Sequence, residues 1–147
     1  MNAIVVYSSP LGRTKRIAEA VASGLPEGTP CVSVQALPDD LLSYDCVFLG
    51  CCMEGNVVED SMKQVLQNLK NKRIALFITV ESGPFSDDSS KLLRSAIEQL
   101  PPGVQVEGTY ITPTADGVNP TAEDSEERLA FARTFAENTM SRLRSMA

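Results

Sequence analysis

Ala3-Ile4-Val5-Val6-Tyr7 runs through Ser8-Ser9-Pro10-Leu11-Gly12-Arg13-Thr14 into Lys15-Arg16-Ile17-Ala18, and this passage from one pattern to another sets the architecture. The first five residues are apolar almost throughout, without the alternation of a half-exposed strand, so they read as a strand buried on both faces. The last residues open a stripe of Ile17, Ala18, Val21, Ala22 and Leu25, whose spacings of one, three and four fall on one helix face. Between the two lies a short turn rich in hydroxyls, with a proline and a glycine as punctuation. A buried strand that enters an amphipathic helix through a short turn is the first half of a βαβ unit.

Outward from this stretch the pattern repeats. Apolar runs at 31–34, 46–50, 74–80 and 104–111 predict four further strands. Helical stripes lie between them, at Met62, Val65, Leu66 and Leu69, and at Leu92, Leu93, Ala96, Ile97 and Leu100. A long last helix is expected to open at Asn119-Pro120-Thr121, with an acidic first turn through Glu127, and carries Leu129, Ala132, Phe135, Ala136, Met140 and Leu143. The second crossover is weaker, because only Asp39-Asp40-Leu41-Leu42 offers a turn or two of helix. Strands alternating with helices, and buried on both sides, imply a parallel sheet in a doubly wound α/β sandwich. Ligands in such sheets bind beyond the carboxyl ends of the strands, which directs attention to the loops at 8–14, 51–60 and 81–90.

The 147 residues are expected to form one domain, 1–147, and 43% hydrophobic residues supply a core for it. Thirteen basic against nineteen acidic residues leave a net charge of −6, which argues against a nucleic-acid partner. The first residues lack the basic region and cleavage site of an export signal, and no apolar run is long enough to span a bilayer. A cytoplasmic protein without membrane insertion is expected. No histidine is present, which excludes His-dependent triads and nearly all common zinc sites, so no metal is expected. The four cysteines, at 31, 46, 51 and 52, have no Cys-x-x-Cys spacing and read as reduced thiols, with Cys31 and Cys46 as small buried hydrophobes.

The turn at 8–14 is neither a Walker A sequence nor a Gly-x-Gly-x-x-Gly fingerprint. Hydroxyls from Ser8, Ser9 and Thr14, a glycine that allows close approach, and a helix amino terminus suit a phosphate monoester. The same residues also serve as an ordinary helix cap, and the density of hydroxyls favours phosphate. At this point the chain resembles the flavodoxins, small FMN-binding electron carriers. Their phosphate loop follows the first strand as Ser/Thr-x-Thr-Gly-x-Thr, and this chain has Ser9-Pro10-Leu11-Gly12-Arg13-Thr14. The likeness continues through Tyr44-Asp45-Cys46-Val47-Phe48-Leu49-Gly50, similar to the family's third strand, and Lys72-Arg73-Ile74-Ala75-Leu76-Phe77, similar to its fourth. It covers nearly the whole chain and fits the short-chain form.

The resemblance implies a three-layer sandwich whose five-stranded parallel sheet has the order 2-1-3-4-5, with helices on both faces. It also implies FMN as cofactor, with its phosphate on Ser8, Ser9, Pro10, Leu11, Gly12, Arg13 and Thr14. The isoalloxazine ring would lie between the 51–56 loop, with Cys52, Met53, Glu54 and Gly55, and the 81–86 loop, with Glu81, Ser82, Gly83 and Phe85. Leu11 departs from the family by replacing a hydroxyl residue, and Pro10 by lacking an N–H to donate. The 51–56 loop contains no aromatic, leaving Met53 as the group for one ring face and Phe85 for the other; loop and helix packing are the alternative roles of these two. Around the expected cofactor edge stand Glu54, Glu59, Asp60, Glu81, Asp87 and Asp88. Such a rim disfavours an anionic reduced flavin and steers redox partner proteins with a basic docking face, while also serving as an ordinary solvated surface. Three functions stay open at this point: an electron carrier, an FMN-dependent oxidoreductase using NAD(P)H with a quinone or porphyrin-type substrate, and a flavin-free binding module.

Overall fold

In chain order, the computed structural model has β1 (Ala3–Tyr7), α1 (Arg13–Ser23), β2 (Cys31–Ser33), β3 (Cys46–Glu54), β4 (Val57–Val58), α2 (Asp60–Gln67), β5 (Arg73–Val80), α3 (Asp87–Glu98), β6 (Gln105–Pro113) and α4 (Glu126–Met146). The structure describes residues 2–8, 13–54, 57–58, 60–70, 73–80, 87–113 and 126–146. Five strands pair in parallel in the order β2-β1-β3-β5-β6, and β4 pairs with β3 alone, antiparallel. Counting only the parallel strands, this is the expected order 2-1-3-4-5.

Alternation along each central strand divides the core into two layers. Ile4, Val6, Val47, Leu49, Ile74, Leu76 and Ile78 face Met62 and Leu66 of α2 and Ala96 of α3. Ala3, Val5, Phe48, Ala75 and Phe77 face Ile17, Ala18 and Val21 of α1 and Ala132, Ala136 and Met140 of α4. Both faces of β1, β3 and β5 are therefore buried, which is why their sequences do not alternate. Each fully buried Ile, Leu, Phe or Met stabilises the fold by roughly 1.5–3 kcal/mol, so these two layers are its main support. At Gly24, just after α1, an added Cβ would sit 2.4 Å from the Arg133 carbonyl oxygen, so glycine is what lets α1 end close against α4.

Several boundaries differ from the sequence expectation. β2 ends at Ser33, and Val34 opens a 3₁₀ turn at Val34–Ala36; as an edge strand, β2 leaves Cys31 half-buried rather than buried. The second crossover forms only a further 3₁₀ turn at Leu41–Ser43. β3 runs past Gly50 to Glu54 because its carboxyl end pairs with β5 on one register and then with β4 through Met53↔Val58 and Glu54↔Val57. The expected opening of the last helix at 119–121 lies outside the described residues, and α4 is described from Glu126. β6 carries a bulge: Ile74 pairs with Val106, but Ala75 pairs with Gly108. The extra residue, Glu107, reverses the face parity, so Val106 packs on the α2/α3 layer while Tyr110 packs on the α1/α4 layer.

Candidate functional site

The ends of β1, β3 and β5 meet at one edge of the sheet, where one register row crosses Tyr7, Gly50, Phe77 and Tyr110. Gly50 is required in that row by packing: a Cβ there would sit 2.4 Å from Phe77 Cε2 and 3.2 Å from Tyr7 Cβ. One residue further on, the Ser8 N–H donates to the Gly50 carbonyl over 3.0 Å, and Ser8 is buried. Because α1 begins at Arg13, the positive end of its dipole stands at this same edge.

A second row holds Cys52, Thr79 and Thr112 in register. Thr79 and Thr112 are both buried, and the Thr79 hydroxyl lies 2.9 Å from that of Thr14, the second residue of α1. Thr79 Oγ1 also makes a long 3.5 Å hydrogen bond to the Cys51 carbonyl. Thr14 is itself buried. Hydroxyls held at a helix amino end can donate to an anionic oxygen.

Among the sequence candidates, Ser8, Arg13 and Thr14 are placed at this edge, with Arg13 as the first residue of α1. Cys52, Met53 and Glu54 are strand residues of β3 and not loop residues, which corrects the expected 51–56 loop: Cys52 pairs with Thr79 of β5, and Met53 and Glu54 pair with Val58 and Val57. Ser9, Pro10, Leu11, Gly12, Gly55, Glu81, Ser82, Gly83 and Phe85 lie outside the described residues. Of the acidic rim, Asp60 is exposed at the start of α2, the backbones of Glu54, Asp87 and Asp88 belong to β3 and α3, and Glu59 and Glu81 lie outside the described residues. Thr79 was legible in sequence only as a hydroxyl near the end of a largely apolar strand, and its partner on α1 was not legible at all.

Tyr110 stacks on Phe135 at 5.5 Å, and Phe135 meets the edge of Phe48 at 5.9 Å. Cys31, Cys46 and Cys51 are free thiols. Burial pushes the Cys46 thiol up to about 12, helped by Glu107, and pushes Cys31 up to about 11, helped by Glu19. Both therefore hold their protons at neutral pH and are poor nucleophiles. Away from the site, a groove between the amino half of β6 and α4 is lined by Glu107, Gly108, Phe135, Thr139 and Arg142, and the Arg142 guanidinium donates to the Glu107 carbonyl at the bulge. No described helix is long and apolar enough to cross a membrane.

The family model described as Flavodoxin domain matches residues 4–116, and the chain belongs to that family. The flavodoxin-like domain-containing protein BilS of Clostridioides difficile is 32% identical over 114 residues, which cover 76% of this chain and 65% of that protein. A flavodoxin of Clostridium beijerinckii is 28% identical over 106 residues, 65% of this chain and 73% of that one. Among solved structures, a flavodoxin from the domain Archaea superposes with a TM-score of 0.68 at 18% identity, over 98% of this chain and 99% of that one.

Proposed function

We propose that this protein binds one FMN without a covalent link and passes electrons between partner proteins. The observation that carries the reading is the carboxyl-edge site of a flavodoxin-domain sheet, where buried Ser8 and Thr14 stand at the positive end of α1. These groups fit a phosphomonoester: hydroxyl donors and a helix amino terminus favour a dianion. Ser9, Gly12 and Arg13 complete the phosphate contacts in this proposal, with Arg13 adding a permanent charge. Met53, Glu54, Gly55 and Cys52 border one face of the ring, and Glu81, Ser82, Gly83 and Phe85 the other.

When bound, FMN supplies reversible electron transfer, and the protein's part is orientation and electrostatics. Ser8 and Thr14 hold the phosphate end, so the position of the ring follows from the ends of β3 and β5. The acidic residues near the ring edge, within a chain of net charge −6, steer a partner with a basic face and make docking weaken as salt rises. The proposal places all of this in one domain, 1–147, in the cytoplasm.

Titration of the purified protein with FMN, followed by flavin fluorescence, tests the reading. Saturable quenching at one FMN per chain supports it, and an absence of binding at high micromolar FMN leaves the flavin-free module in its place. A second reading is favoured by the absence of any aromatic in residues 51–56, since an uncovered ring face suits a substrate. That reading is an FMN-dependent oxidoreductase, and steady turnover of NAD(P)H with a quinone would select it over the carrier.

A further inference from the structure

Thr79 is a buried hydroxyl with no place in the sheet's hydrogen-bond ladder. It follows the apolar run Ile74-Ala75-Leu76-Phe77-Ile78 and is 2% exposed. Its side chain faces the α1/α4 layer, as those of Ala75 and Phe77 do, where a valine of nearly the same shape would need no partner. Burying a hydroxyl is costly unless it is bonded, and replacing it with a matched apolar group is often close to neutral. Thr79 is bonded twice, to the Thr14 hydroxyl at 2.9 Å and to the Cys51 carbonyl at 3.5 Å. These partners belong to different parts of the carboxyl edge. Thr14 is the second residue of α1, Cys51 precedes Met53 and Glu54 on β3, and Thr79 is the last residue but one of β5.

The two hydroxyl bonds have only two protons between them. When Thr79 donates to the Cys51 carbonyl, Thr14 must donate to Thr79, and the Thr14 proton is then committed inward. An anion at the amino end of α1 accepts and cannot donate, so it is met only by the reverse order, in which Thr79 donates to Thr14 and Thr14 donates outward. In that order each bond polarises the next, and the Thr14 rotamer is held.

Resting on the FMN reading above, we infer that Thr79 is a positioning residue for the phosphate group of the flavin, orienting the Thr14 hydroxyl toward it through the Thr14–Thr79 hydrogen bond. Thr79 does not touch the phosphate in this account. Its effect is confined to ligands that carry the phosphate, which separates it from a merely structural role.

The test compares FMN with riboflavin, which has the same ring and no phosphate, on the full chain with Thr79→Val and Thr79→Ser. Thr79→Val is expected to weaken FMN by about tenfold, the equivalent of one net hydrogen bond, while riboflavin stays within about twofold of wild type. Thr79→Ser keeps the hydroxyl and is expected to restore FMN to within about threefold. Wild-type FMN affinity in Thr79→Val overturns the inference and leaves the FMN reading standing. Equal losses for FMN and riboflavin also overturn it, because they show a general loosening of the edge. Failure of the wild-type chain to bind either flavin overturns both. Circular dichroism melting establishes that each variant folds; if Thr79→Val does not, Thr79→Ala, which removes the hydroxyl without adding bulk, is read against the same outcomes.

Discussion

Gly50→Ala places one methyl group where the structure has no room for it. The new Cβ would lie 2.4 and 2.5 Å from Phe77 Cε2 and Cζ, and 3.2 Å from Tyr7 Cβ. Phe77 is fully buried between β5 and the α1/α4 layer, so its ring cannot swing into solvent to make way. Tyr7, Gly50 and Phe77 are also register partners on three adjacent strands, which prevents the backbones from moving apart without breaking the ladder. Overpacking of this kind costs about 1–3 kcal/mol, the upper end applying where neighbours cannot yield. For a chain of this size that is a fall of roughly 3–10 °C in melting temperature. The double variant Gly50→Ala/Phe77→Leu supplies the sharper assay. Phe77→Leu alone opens a cavity and costs about 1–2 kcal/mol, a fraction of a Phe→Ala loss. It also removes the two ring atoms that the new methyl would strike. The two substitutions should therefore cost about 1–2 kcal/mol less together than the sum of their separate effects. Urea denaturation of the four proteins measures this coupling. An unchanged midpoint for Gly50→Ala, or strict additivity in the cycle, would refute the packing argument.

The remaining predictions concern the thiols, the bulge and the aromatic cluster. Unfolded cysteines lose their protons near the ordinary 9.0 while folded Cys46 keeps its proton to about 12 and Cys31 to about 11, so the unfolded state is the first to release protons. The stability they contribute is complete below pH 9 and is lost as pH rises toward 11–12; a Cys46→Ala variant should gain on wild type across that window in urea melts. Arg142→Ala removes the donor from the Glu107 carbonyl and should cost about 1 kcal/mol, with faster amide exchange in the first half of β6 and none of the change at β1. Phe135→Ala loses both the stacked contact with Tyr110 and the edge contact with Phe48; with Phe135 only half-buried, a loss of about 2–4 kcal/mol is expected by thermal or urea denaturation.

The architecture was legible in the chain because it rests on local pattern. Ala3–Tyr7 and Ile74 to Val80 are apolar without alternation, which only a strand covered on both faces tolerates, and the stripes from Ile17 and Met62 have the helical period. The hydroxyl-rich stretch at 8–14 stood out in the sequence because its residues are contiguous; Arg13 and Thr14 belong to α1, and residues 9–12 lie outside the described residues. What could not be read were features set by partners distant in sequence. β3 continues to Glu54 because β5 and the two residues of β4 pair with it, and a loop-like Cys51-Cys52-Met53-Glu54 gives no local sign of those partners. The bulge at Glu107 follows from matching β6 to β5 while Val106 and Tyr110 serve opposite layers. The Thr14–Thr79 hydrogen bond joins residues 65 positions apart. By itself the sequence determined strands, helices and the class of the fold, because burial on one or two faces is written in residue period. Only the tertiary structure decided which hydroxyls meet and where strands end, because those depend on neighbours that the chain brings together only on folding.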